Sequence, residues 1–225
     1  MVGVERVGPY RFIQGESQRV TTDSLLLADF VLPLMEGESV VDLGTGAGII
    51  PVVLAWKTGA KRVVGVEVDG AAAETARKNV EGNALSGRIT VLEGDYRGLF
   101  KKFPEGSFSV VVSNPPYMRA GSGRVSPKGA RAGARSEVHG GLRDLVAVSR
   151  HLAGRTGRVC YVFPVRRLAE MLSELDCAGL KARRLKFVHT GPGREAKLFL
   201  IEAGTTGSLR VEEPGAAPDR VGGRR

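Results

Sequence analysis

Sulfur and imidazole are scarce in this chain of 225 residues, which has two cysteines and three histidines. Cys160 and Cys177 form no C-x-x-C pair and the histidines are scattered, so no metal-binding set is expected. Both cysteines lie in apolar-patterned segments and are expected to be buried, reduced thiols of a cytoplasmic protein. Long apolar runs are missing too. No stretch of about 18 apolar residues occurs, so no membrane-spanning helix is expected. The opening MVGVERVGPYRFIQG lacks the apolar stretch of a signal peptide. Acid is in deficit: 33 Lys and Arg face 24 Asp and Glu, a net charge of +9. That excess favours a polyanionic partner, nucleic acid above all.

The length suffices for one domain with a sizeable core, and residues 39–203 alternate strand and helix signals. SVVDL (39–43), RVVGVEV (62–68), RITVLEG (88–94), FSVVVS (108–113) and GRVCYVFP (157–164) read as buried strands, because β-branched runs suit a covered parallel sheet. Helices are expected after each, for instance from Ile49 to about Lys57. LKARRLKFVH (180–189) and AKLFLIEA (196–203) read as a closing hairpin-like pair. The alternation predicts an α/β fold with a doubly wound, mostly parallel sheet of seven strands. Before it, residues 1–38 read as a cap: a short extended piece, then a helix with Asp23 as N-cap and an apolar face of Leu26, Leu27, Phe30, Val31 and Leu34. After it, 204–225 is rich in Gly, Pro and Ala and is expected to be disordered.

Acids stand where strands end. In VVDLGTGAGII, Asp42 leads into Gly44, Gly46 and Gly48, a tight turn that lets a ligand approach the backbone. A dinucleotide site wants G-x-G-x-x-G, and Ile49 stands where its last glycine would be. An acid at the turn repels a pyrophosphate and suits a cation. S-adenosylmethionine carries an ammonium and a sulfonium and no phosphate. Glu67 ends the second strand about 20 residues later, where a carboxylate accepts both ribose hydroxyls; Asp69 is its rival. Asp95, after the third strand, can accept from the exocyclic amine of adenine. The fourth strand runs into Asn114, Pro115, Pro116 and Tyr117. Prolines lack the ladder N–H, so they stop the strand and stiffen the turn at the edge where α/β sheets bind ligands. Residues 118–136 then hold Arg119, Arg124, Lys128, Arg131 and Arg135, with no acid before Glu137. A long basic segment beside a site is a candidate grip for phosphates.

Taken together, Asp42 to Gly48, Glu67, Asp95 and Asn114 to Tyr117 resemble the successive motifs of class I S-adenosylmethionine-dependent methyltransferases. The chain is similar above all to the bacterial tRNA1(Val) adenine-37 N6-methyltransferase family, through YRFIQ, VTTDSLLLADFV, DLGTGAG, SNPPY, ARSEV and GREAKLFLIEA. In ARSEV, Ser136 departs from the more usual Arg-His-Glu pattern. The resemblance implies S-adenosylmethionine as cofactor and RNA, tRNA first, as partner. It puts Thr22 and Asp23 near the methionine end and counts Asn114 among the residues bordering the cofactor.

It also gives Asn-Pro-Pro-Tyr a task. An exocyclic amine conjugated to a ring is a poor nucleophile. Acceptors on Asn114 and Pro115 would hold its two N–H groups and favour a pyramidal nitrogen, Pro116 would lock the turn, and Tyr117 would stack on the base. The nucleotide must then be unstacked. Three alternatives stay open. A protein glutamine-N5 methyltransferase uses the same turn, but 41 residues before Asp42 leave little room for its helical substrate domain. A guanine-N2 rRNA methyltransferase uses a similar turn. A non-enzymatic RNA-binding module would have let its cofactor acids decay.

Overall fold

In the computed structural model, residues 3–14, 20–60, 62–115, 141–191 and 193–216 are described. The chain opens with an antiparallel hairpin, β1 (Gly3–Val7) and β2 (Tyr10–Gln14), where a single extended piece was expected. Gly8 and Pro9 make its turn. Gly8 has φ +56°, and a Cβ on it would come within 2.5 Å of the Trp56 ring, so only glycine fits.

Helix α1 (Thr22–Phe30) follows. Thr21 caps it, accepting from the Ser24 amide at 3.3 Å, which corrects the expected cap at Asp23. Asp23 sits in the first turn, where its charge complements the helix dipole. The helix also stops before Leu34, because Pro33 disfavours helical backbone at Leu32. Arg158 holds the segment that follows, donating to the carbonyls of Val31 (3.0 Å) and Pro33 (2.9 Å).

The sheet is then laid down by β3 (Ser39–Leu43), α2 (Ile49–Lys57), β4 (Arg62–Glu67), α3 (Gly70–Gly82), β5 (Ile89–Glu93), α4 (Leu99–Lys102), β6 (Val110–Ser113), α5 (Leu142–Ala153), β7 (Arg158–Pro164), α6 (Leu168–Cys177), β8 (Lys181–His189) and β9 (Ala196–Gly204). These seven strands lie in the order β8-β9-β7-β6-β3-β4-β5. All pairings are parallel except those of β9.

Two short strands extend the sheet to nine. β10 (Arg210–Val211) and β11 (Gly215–Ala216) run parallel to β8, so residues 205–216 are not the disordered tail their composition predicts. Glu212 supplies the reason. Its amide donates to Leu185 O at 2.8 Å and its carboxylate accepts from Arg184 Nε at 2.6 Å. Residues 217–225 lie outside the described residues.

Both faces of the sheet are covered, as its valine-rich strands require. One core packs Val40, Val63, Val110, Val112 and Val162 with apolar residues of α1 and α2; the other packs Val41, Val64, Val111, Tyr161 and Phe163 with those of α5 and α6. Cys160 is buried, and desolvation pushes its thiol up to about 12. Cys177, expected in the core, is exposed at the end of α6. No described helix is long and apolar enough to cross a membrane.

Candidate active site

Parallel strands bring their carboxyl ends to one edge, and register sets what stands beside what. Asp42 on β3 pairs with Gly65 on β4 and with Val112 on β6. Glu67 ends β4 opposite Glu93 on β5, just before Asp95. Asn114 directly follows β6. The edge therefore reads Asp95, Glu67, the glycine turn, Asn114, each about 4.8 Å from the next by strand spacing.

Gly44, Gly46 and Gly48 have φ of +78°, +55° and +79°, a backbone that side chains disfavour. Nothing lies within 4 Å of where a Cβ would project from Gly44 or Gly46, so the turn presents bare backbone. It is anchored from behind: Gly44 N and Thr45 N both donate to Val66 O, at 2.9 and 3.0 Å. Gly65 must be glycine as well, since a Cβ there would lie 2.9 Å from the Thr45 side chain.

Two carboxylates flank the turn in opposite circumstances. Glu67 accepts from Gly46 N at 2.8 Å on one oxygen and from Asp69 N at 2.9 Å on the other. Each oxygen keeps a second lone pair, a fit for two vicinal hydroxyls. Asp69 is instead the N-cap of α3, accepting from Ala71 N and Ala72 N. Asp42 is buried, and neither of its carboxylate oxygens has a hydrogen-bond partner. Burial raises its pKa to about 7; the nearby Thr45 hydroxyl acts the other way without reaching hydrogen-bond geometry, and the charge of Glu67 adds a smaller push upward. A buried acceptor with no partner costs free energy unless something else satisfies it, and an ammonium group would.

The remaining expected residues divide. Asp95 stands at the strand end but is committed: both its oxygens accept from Arg97, the shortest of these bonds being 2.6 Å from Nη2. An adenine amine there would share the carboxylate with Arg97. Thr22 and Asp23 lie in the first turn of α1. That end of α1 reaches the site through Ser24, whose hydroxyl accepts from Asn114 Nδ2 at 3.0 Å and also lies 3.0 Å from Thr21 Oγ1. Donating through its nitrogen, the Asn114 amide turns its oxygen to the other side. Pro115 is half-buried beside it. Pro116, Tyr117, Arg119, Arg124, Lys128, Arg131 and Arg135 lie outside the described residues.

Four supporting residues escaped sequence reasoning. Ser24 orients Asn114. Ser113 donates to Leu43 O at 2.6 Å, tying β6 to β3 just before the Asn-Pro turn. Asn79, buried on α3, accepts from Ile13 N (2.7 Å) and donates to Ile13 O (3.1 Å) and Ala47 O (2.9 Å). With Asn83, which bonds the Arg11 backbone in the same paired way, it clamps the N-terminal hairpin to α3 and to the glycine turn. A period-four pair of asparagines on an otherwise amphipathic helix was the available signal.

The architecture is that of the Rossmann-like methyltransferases. A solved structure titled a predicted O-methyltransferase from Agrobacterium tumefaciens matches it with a TM-score of 0.67, over 88% of this chain and 89% of that one, at 23% identity. At the level of sequence, residues 17–131 match the methyltransferase small domain family, and the chain belongs to that family. It is 33% identical over 193 residues, 84% of this chain and 75% of the relative, to the tRNA1(Val) (adenine(37)-N6)-methyltransferase of Porphyromonas gingivalis. The protein of the same name from Aeromonas hydrophila is 34% identical over 84% of this chain and 77% of its own.

Proposed function

We propose that this protein transfers a methyl group from S-adenosylmethionine to the exocyclic N6 of an adenine in tRNA. The observation that carries the reading is Asn114 at the end of β6, one strand from the glycine turn, its amide oriented by Ser24. The names of the P. gingivalis and A. hydrophila relatives support the same substrate.

Asp42, the glycine turn and Glu67 would hold the cofactor. The buried unpartnered carboxylate suits an ammonium, the bare backbone admits close approach, and the two-oxygen acceptor suits a ribose. When bound, S-adenosylmethionine supplies an electrophilic methyl group on a sulfonium. The protein's part is to make a poor nucleophile adequate. The Asn114 amide oxygen and the Pro115 carbonyl accept the two N–H groups of the target amine. They withdraw its lone pair from the ring and aim it, so most of the acceleration comes from positioning and preorganised dipoles. No strong general base is required, because the nitrogen becomes a strong acid once methylated. Tyr117 stacks on the base, and Arg119, Arg124, Lys128, Arg131 and Arg135 grip neighbouring phosphates. The cytoplasm is the compartment this reading assigns, since reduced cysteine and a tRNA substrate both belong there.

The test is nucleoside analysis of total tRNA from a strain lacking the gene. Loss of N6-methyladenosine at one tRNA position, restored by the gene but not by an Asn114→Ala copy, is the expected result. An unchanged N6-methyladenosine content overturns the proposal.

A further inference from the structure

The ligand-binding edge of the sheet is divided by charge. Over β3, β4 and β5 it carries the buried Asp42, then Glu67, Asp69 and Asp95, the last paired to Arg97, the half that suits a cationic cofactor. Beyond β6 the sign reverses. Arg166 follows β7, and the β8–β9 hairpin carries Arg194 and Lys197. Register puts these on the same edge as Asn114: Ser113 pairs with Tyr161 on β7, and Pro164, three residues on, pairs with Leu198 on β9.

Arg194 and Lys197 are exposed and form no ion pair among the described residues. Four other arginines, Arg97, Arg158, Arg167 and Arg184, are each matched to a carboxylate. The hairpin turn that carries Arg194 is held in shape: its amide donates to Gly191 O at 3.2 Å, and its carbonyl lies 2.6 Å from His189 Nδ1. Glu195 offsets part of the charge but leaves the segment net positive. Strand β9 lies two strands from β6, about 10 Å at the usual spacing. That is about three nucleotides at the stacked rise of 3.4 Å.

We propose that Arg194 and Lys197 form a phosphate-binding rail for the RNA strand that flanks the target adenine. The inference rests on the reading of the substrate as RNA. Basic side chains on a preformed hairpin bind a polyanion by releasing its counterions, and their reach is set by the sheet.

The test measures binding of the full chain to an unmodified tRNA transcript across a salt series. Arg194→Ala/Lys197→Ala is compared with Lys101→Ala/Lys102→Ala, two exposed lysines on α4 whose helix leads to the start of β6 at the opposite edge. The rail double variant should lower the slope of log affinity against log salt by about 2, about 1 for each phosphate no longer neutralised, and weaken binding about tenfold at low salt. S-adenosylmethionine affinity should be unchanged, and Lys197→Arg in an otherwise intact chain should keep the wild-type slope. The α4 control should leave the slope as it was. If the wild type methylates tRNA while the rail variant keeps its affinity and slope, or if the control loses as much, the rail is refuted and the function stands. If the wild type neither binds nor methylates tRNA, the functional reading falls and the rail with it.

Discussion

Asp42→Asn should make the cofactor-free protein more stable and useless. A carboxyl held at about 7 instead of 3.8 costs the folded state about 4 kcal/mol once it is ionised. The sign follows from the direction of the shift. The cost is absent below pH 3.8, where the group is protonated folded and unfolded alike. It grows as pH rises, because only the unfolded chain gives up its proton, and it levels off above about 7. An uncharged amide of the same shape escapes this cost, but it buries one more N–H, worth about 1 kcal/mol. The net gain is about 3 kcal/mol at pH 8 and under about 1 kcal/mol at pH 5. In a chain of this size that is a rise in Tm of about 6–12 °C at pH 8. Denaturation of the cofactor-free protein at both pH values, with calorimetric titration of S-adenosylmethionine, checks both halves. A variant no more stable than the wild type at pH 8, or one that retains cofactor affinity, would refute the assignment of Asp42 as a strained ligand.

Asn79→Ala removes three hydrogen bonds, one buried and two part-buried, at about 1 kcal/mol each. Urea denaturation should show a loss of about 3 kcal/mol, and the Arg11 and Ile13 amides should exchange faster; a loss near zero would mean that the hairpin is held by its apolar packing alone. Ser24→Ala should slow methyl transfer about tenfold with little change in the KM for S-adenosylmethionine, because it removes one tether of the Asn114 amide and leaves Asp42, the glycine turn and Glu67 as they are; a wild-type rate in single-turnover kinetics contradicts that. Neutralising Arg119, Arg124, Lys128, Arg131 and Arg135 together should weaken tRNA binding and flatten its salt dependence, whereas an unaltered salt slope would take the segment out of RNA contact.

The five parallel strands were legible because each is a β-branched run between breakers, β8 and β9 because apolar residues gather between charged ends, and Asp42, Glu67 and Asp95 because each stands at or just past the end of such a run. What the sequence hid is non-local. The β1–β2 hairpin depends on a glycine pressed against Trp56, 48 residues away in the chain. Residues 210–216 hold a single β-branched residue, Val211, among acids, proline and glycine, and pair where Arg184 offers Glu212 a partner. Ser24 and Asn79 are ordinary polar residues until folding brings Asn114 and Ile13 to them. Asp95 shows the converse: its place was readable, but its commitment to the nearby Arg97 was not.

The central claim is that Asn114 presents an acceptor to an adenine amine. Single-turnover methyl transfer from labelled S-adenosylmethionine to an unmodified tRNA transcript, followed by nucleoside digestion, tests it most directly. Label is expected in N6-methyladenosine with the wild type, and none with an Asn114→Ala variant that still binds S-adenosylmethionine. Label in a guanine nucleoside, or a near-wild-type rate with Asn114→Ala, would contradict it.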